Sequence, residues 1–192
     1  MKKLMLGLAI ASSSLAFAQE KAKASTSPVR FGIKAGLNVS SINDDEFKGK
    51  AGIYGGFFAN IPVASSFSVQ PEILYNGVGA KFESVSDARL NLDYISVPVM
   101  VQYNILPELY LEAGPQFSFA ISQKVKGDGG SVDVDSLFKG FDFGIGLGAG
   151  YYFAQGFGVT ARFVAGVTDI ADNNPGDAVR NSVFQVGVAY KF

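Results

Sequence analysis

The sequence predicts an all-β fold: an eight-stranded antiparallel up-and-down barrel that crosses a membrane. Three observations carry this. Apolar side chains alternate with small or polar ones through segment after segment, the period of a strand with two unlike faces. Most segments run about 10–14 residues, where soluble strands average about 5–6 and a tilted membrane strand needs about 9–11. The connections alternate long and short, the habit of membrane barrels with short turns on one side and longer loops on the other.

The elements follow in order. Residues 1–18 read as a secretory signal peptide: Lys2 and Lys3, an apolar run over Leu4–Leu15, then Ala16-Phe17-Ala18 as a small-x-small cleavage site. Residues 19–28 read as a flexible periplasmic leader, and 29–192 as the barrel. In the first strand Phe31, Ile33, Ala35, Leu37 and Val39 oppose Arg30, Gly32, Lys34, Gly36 and Asn38. A loop is expected over 41–50. Ile53, Phe57 and Ile61 then oppose Tyr54, Phe58 and Asn60, and after a short turn at 62–66 Val69, Ile73 and Tyr75 oppose Gln70, Glu72 and Asn76. A long connection over 79–91 leads to Ile95–Ile105, facing away from Ser96, Gln102 and Asn104. Past a tight turn at 106–108, Leu109–Phe119 set Leu111 and Phe117 against Tyr110, Glu112 and Gln116. The longest loop is expected over 123–137. Phe141–Phe153 carry a glycine-rich second face, 154–156 is tight, and Phe157–Val167 set Val159 and Phe163 against Thr160 and Arg162. A polar loop over 169–180 precedes the last strand, where Phe184, Val186, Val188, Tyr190 and Phe192 alternate with Gln185, Gly187, Ala189 and Lys191.

Closure is required because an open sheet edge in hydrocarbon would leave every N–H and C=O unpaired. The apolar, aromatic-rich face goes to lipid and the glycine-rich polar face inward. A soluble sandwich or lipocalin-like barrel would invert this, but its outer face would carry Lys and Glu rather than Gly. Beyond the signal peptide no run of about 18 apolar residues offers a membrane helix.

The ending Gln185-x-Gly187-x-x-Tyr190-x-Phe192 resembles the C-terminal sorting signal read by the bacterial barrel-assembly machinery. Tyr94-Ile-Ser-Val-Pro-Val-Met-Val-Gln-Tyr103, Tyr110-Leu-Glu-Ala-Gly-Pro115, Phe141-Asp-Phe-Gly144 and Arg162–Ile170 resemble the PorT-like outer-membrane β-barrel domain family, itself similar in fold to OmpA and OmpX. The resemblance spans about Phe31 to Phe192. It implies an exported protein of the outer membrane of a Gram-negative bacterium. Some members are implied in secretion machinery, and no motif here singles that role out.

Composition narrows function. There is no His and no Cys, which removes the commonest general base near neutral pH and any disulfide framework. No pair of carboxylates is fixed by the sequence for glycosidase-type chemistry; no enzyme, cofactor or metal site is expected. Cleavage after residue 18 leaves 14 basic against 17 acidic residues, which gives no reason to expect nucleic acid as a partner. Gly144-Ile-Gly-Leu-Gly-Ala149 matches a dinucleotide fingerprint by letters, but the alternation runs on to Phe153 where a helix would have to start. Asp169, Asp172, Asn173, Asn174 and Asp177, like Asp128, Asp133 and Asp135, read as solvated loops, since neither set has the ordered spacing of a calcium loop.

The inward charges Arg30, Lys34, Glu72, Glu112, Asp142, Arg162 and Lys191 are expected to form a lumenal network. An eight-stranded barrel is filled by its own side chains, and charges buried there must pair. Two uses follow: a structural plug, or a narrow gated path. The leading function is a non-enzymatic outer-membrane barrel, a monomer in lipid, with a structural or surface-interaction role through loops 41–50, 79–91, 123–137 and 169–180. The alternatives are a passive pore for ions or small solutes, and an accessory component of an envelope or secretion complex.

Overall fold

The computed structural model describes residues 28–42, 47–82, 89–127, 130–133, 140–154, 156–168 and 180–192. The expected signal peptide, most of the leader and nearly all of loop 169–180 lie outside them. Among the described residues there are nine strands: β1 (Arg30–Ile42), β2 (Phe47–Ala64), β3 (Phe67–Phe82), β4 (Arg89–Asn104), β5 (Leu109–Gly127), β6 (Gly130–Asp133), β7 (Phe141–Ala154), β8 (Phe157–Gly166) and β9 (Asn181–Lys191). Eight of them run β4-β3-β2-β1-β9-β8-β7-β5, and β5 pairs back to β4, closing the ring; β6 pairs only with the far end of β5. Every pairing is antiparallel.

Closure inverts the usual distribution of polarity. Phe57 is 69% exposed, Leu147 61% and Val188 58%. Glu72, Arg162, Gln70 and Asn38 are buried instead. Such an outer face is stable only against hydrocarbon, and the closed ring leaves no sheet edge unpaired behind it. The glycines of the inner face make room for rings. Tyr54 lies over Gly36 and Gly187, where a Cβ would stand 2.8 Å from its ring and 2.5 Å from its hydroxyl, and Tyr110 fills the space a side chain at Gly150 would need. The short-turn end, periplasmic in barrels of this class, is closed by Ser65-Ser66, by 105–108 and by a turn through Gly156, whose φ of 88° suits glycine.

The straight course of β7 through Gly144–Ala149 leaves no helix for a dinucleotide fingerprint. The expected loops are shorter than the sequence suggests. β1 runs to Ile42 and β2 starts at Phe47, β3 reaches Phe82 and β4 starts at Arg89, and β5 continues to Gly127 before turning into β6. Hydrophobic alternation stops where the lipid stops, but ladder pairing needs no lipid, so the wall continues in polar residues. The wall is uneven: β2 to β5 have 18, 16, 16 and 19 residues, against 10 and 11 for β8 and β9. Register shifts between Gly49 and Tyr54 and at Asp93/Tyr94 mark where this taller part begins.

Candidate functional site

The lumen is crossed by a closed ring of side chains. Arg162 on β8 extends across to β3, donating from two guanidinium nitrogens to the two oxygens of Glu72 at 2.8 Å each. Its Nε donates to Glu112 Oε1 on β5 at 2.7 Å. Glu112 Oε2 accepts from Gln102 Nε2 on β4 at 3.0 Å, and Gln102 Oε1 accepts from Asn60 Nδ2 on β2 at 2.8 Å. Asn60 also donates to Gln70 Oε1 at 3.2 Å, and Gln70 Nε2 returns to Glu72 Oε1 at 2.8 Å. Lys34 on β1 adds its ammonium to Glu72 at 2.8 Å.

Two cations and two carboxylates make this group neutral, and all four are buried. Two-point Arg–carboxylate contacts are the strongest of their kind and hold the planes in one orientation. The amides occupy remaining lone pairs, so the charges are hydrogen-bonded as well as paired, the condition under which a buried ion group persists. Alternation explains why all seven residues face inward; the register lifts them to one level although they come from β1, β2, β3, β4, β5 and β8.

Toward the outer end a second polar layer follows. Gln185 donates to Asn76 at 2.7 Å, Asn76 to Ser96 at 3.0 Å, and Ser96 and Ser118 share a bond of 2.9 Å. A cavity of about 20 Å³ lies beside it, bordered by Tyr94, Gln116 and Asp142. That is room for one water, within reach of the otherwise unpartnered Gln116 Oε1 and Tyr94 hydroxyl. At the periplasmic mouth a wider recess of about 190 Å³ is bordered by Arg30, Asn60, Ser68, Asn104 and Lys191.

The seven expected lumenal charges therefore divide. Lys34, Glu72, Glu112 and Arg162 meet. Arg30 is exposed at the mouth, and Lys191 instead sets its ammonium 3.7 Å from the centre of the Tyr152 ring. Asp142 is buried near the outer end and accepts from Thr168 at 2.7 Å. These three share the inward parity but sit at other heights. Asn60, Gln70 and Gln102, which complete the ring, were legible as inward residues and were overlooked because they are uncharged.

Of the four residues in the sorting-signal pattern, Gln185 is buried in the second layer and Gly187 lies against Tyr54. Tyr190 packs between Phe157 and Phe192, with ring centres 4.5 and 5.3 Å away, and Phe192 is 69% exposed.

Similar barrels are known. Ail, the attachment invasion locus protein of Yersinia pestis, aligns with a TM-score of 0.53 at 16% identity, covering 86% of this chain and 100% of that one. Neisserial surface protein A (NspA) aligns with a TM-score of 0.60 at 14% identity, again over 86% and 100%. At such identities the likeness is one of fold. No curated protein sequence matches. The model of the outer membrane protein beta-barrel domain matches residues 17–172, most of the chain, and the chain belongs to that outer-membrane barrel family.

Proposed function

We propose that this outer-membrane barrel is non-enzymatic, that its lumen is sealed, and that it acts through its outer end as a structural and surface-interaction protein. The observation that carries the reading is the ring around Arg162, which spans the lumen and engages six of the eight barrel strands. Its neutrality and internal pairing leave no net fixed charge to draw ions through. The tall β2–β5 wall carries the chain beyond the lipid on the side of the longer loops, where a partner can be met. The PorT-like likeness of 94–103 and 110–115 is compatible with this role and with an accessory place in an envelope complex.

The decisive test is single-channel recording of the purified protein in planar bilayers. A sealed lumen gives no steps above background, and Arg162→Ala together with Glu72→Ala creates them. Regular steps in the unaltered protein, removed by closing substitutions such as Gly146→Leu, would overturn the reading in favour of a pore.

A further inference from the structure

The periplasmic mouth holds two cations that the ring leaves out. Its recess of about 190 Å³ is bordered by Arg30, where β1 begins, and by Lys191, where β9 ends. Both share the inward parity of their strands, Arg30 with the buried Lys34 and Lys191 with the buried Gln185 and Ala189. Lys191 pairs with Gly32 across the β1–β9 ladder, which makes Arg30 its diagonal neighbour, about 7–8 Å away. Two like charges are held side by side in one concavity, and they repel each other. Neither forms an ion pair among the described residues, and no described aspartate or glutamate borders the recess. The contact of Lys191 with the Tyr152 ring orients its ammonium without neutralising it.

A cleft lined by one sign of charge, between walls of low dielectric, focuses the field and draws in the opposite sign. The position of the recess says where that anion comes from. Inward-facing residues and the short turns at Ser65 and Pro107 border it, so it opens inside the wall on the periplasmic side. A lipid headgroup stays outside that wall with its acyl chains. The rest of the lining says what the anion is attached to. Asn104 donates to Ser66 O and to Ser68 Oγ only at 3.4 Å each, longer than a good N–H···O bond, so its amide retains capacity for a shorter one. Pro62, Ala64 and Pro107 add apolar wall beside these polar groups. A bare inorganic anion would use the two charges and nothing else. An acidic peptide would use all three kinds of surface, and the planar fork of Arg30 matches a carboxylate at two points. Spacing agrees: alternate side chains of an extended peptide share a face about 6.6–6.8 Å apart, close to the separation of the two cations. The recess is smaller than the roughly 300–1,000 Å³ of a drug-sized ligand pocket, so it takes side chains from a segment laid across it.

We propose that the recess between Arg30 and Lys191 is a docking site for an acidic peptide segment of a periplasmic partner, with one carboxylate on each cation. It goes beyond the role of the outer end and does not depend on it. Docking there would tie the barrel to an envelope component on the periplasmic side.

The full chain, folded in zwitterionic detergent, is titrated against a fluorescein-labelled octapeptide of alternating Glu and Ser, and against the same peptide with Gln for Glu. Binding is read by fluorescence anisotropy. The Glu peptide is expected to bind at least about tenfold more tightly, with the preference falling as salt is raised. Arg30→Gln with Lys191→Gln is expected to weaken it about tenfold, from up to about fivefold for each exposed ion pair. Arg30→Lys with Lys191→Arg keeps the preference, and Lys124→Gln, at the opposite end of the barrel, leaves it unchanged. Each variant is first shown to keep its heat-dependent gel mobility, so loss of the site is separated from loss of the barrel. Conductance is scored independently, so a pore would refute the sealed lumen without touching this site. Equal affinity for the two peptides, an unchanged preference in the double Gln variant, or an equal loss in Lys124→Gln would overturn the proposal. So would displacement of the Glu peptide by an equimolar amount of inorganic phosphate, which would assign the recess to a free anion.

Discussion

Replacing Arg162 by Ala withdraws one guanidinium from two buried carboxylates at once. Glu112 is left with Gln102 alone, and Glu72 with Lys34 and Gln70. The remaining group is one cation against two anions, all of them buried. Breaking a buried ion group by removing one partner costs about 3–5 kcal/mol, a factor of at least about 10² in the ratio of folded to unfolded barrel. The reasoning also fixes the sign of a coupling. Arg162→Met combined with Glu112→Gln restores neutrality, keeps the Lys34–Glu72 pair and leaves an amide facing Gln102. The double variant should therefore be more stable than Arg162→Met alone, with an interaction energy above about 1 kcal/mol. The chain has no Trp, so urea unfolding in lipid vesicles is followed by far-ultraviolet circular dichroism together with the folded band on unboiled gels. A loss below about 1 kcal/mol for Arg162→Ala, or simple additivity in the double variant, would refute the claim that the ring is a single electrostatic unit.

Other outcomes follow from the same geometry. Leu147, 61% exposed and paired with Ala113 and Phe163 in mid-wall, should cost about 2–4 kcal/mol as Leu147→Arg. The same change at Tyr103, which packs on Phe67 at the short-turn rim, should cost about 0–1 kcal/mol; both are read by urea unfolding in vesicles. At Gly150 a Cβ would overlap the Tyr110 ring and hydroxyl. Gly150→Ala should lose about 1–3 kcal/mol, and much of the loss should be recovered in a Tyr110→Leu background, as measured by the urea midpoint.

Much of this architecture was legible from alternation. Parity assigns each side chain to lumen or lipid, and so placed Lys34, Glu72, Glu112 and Arg162 inside. It is silent about height. Which inward residues share a level depends on strand tilt and on the stagger accumulated around the barrel, and these separate Arg30, Asp142 and Lys191 from the ring. Asn60, Gln70 and Gln102 show the complementary gap: their faces were evident, but a search for charges passes over the amides that complete a charged group. The outer ends illustrate a third. Phe82, Arg89 and Gly127 lie in strands although their segments look like loops, because residues above the lipid lose the hydrophobic signal while retaining the ladder.

Electrophoretic mobility of the outer-membrane fraction, with and without boiling, tests the central claim most directly. A closed barrel with its apolar face in lipid and a paired polar interior resists SDS until heated. The account predicts a compact band in the membrane fraction that shifts on boiling, with the unboiled form lost at a lower temperature in Arg162→Ala. A protein recovered in the soluble fraction, with one mobility whether heated or not, would contradict both the sidedness of the barrel and the role assigned to its ring.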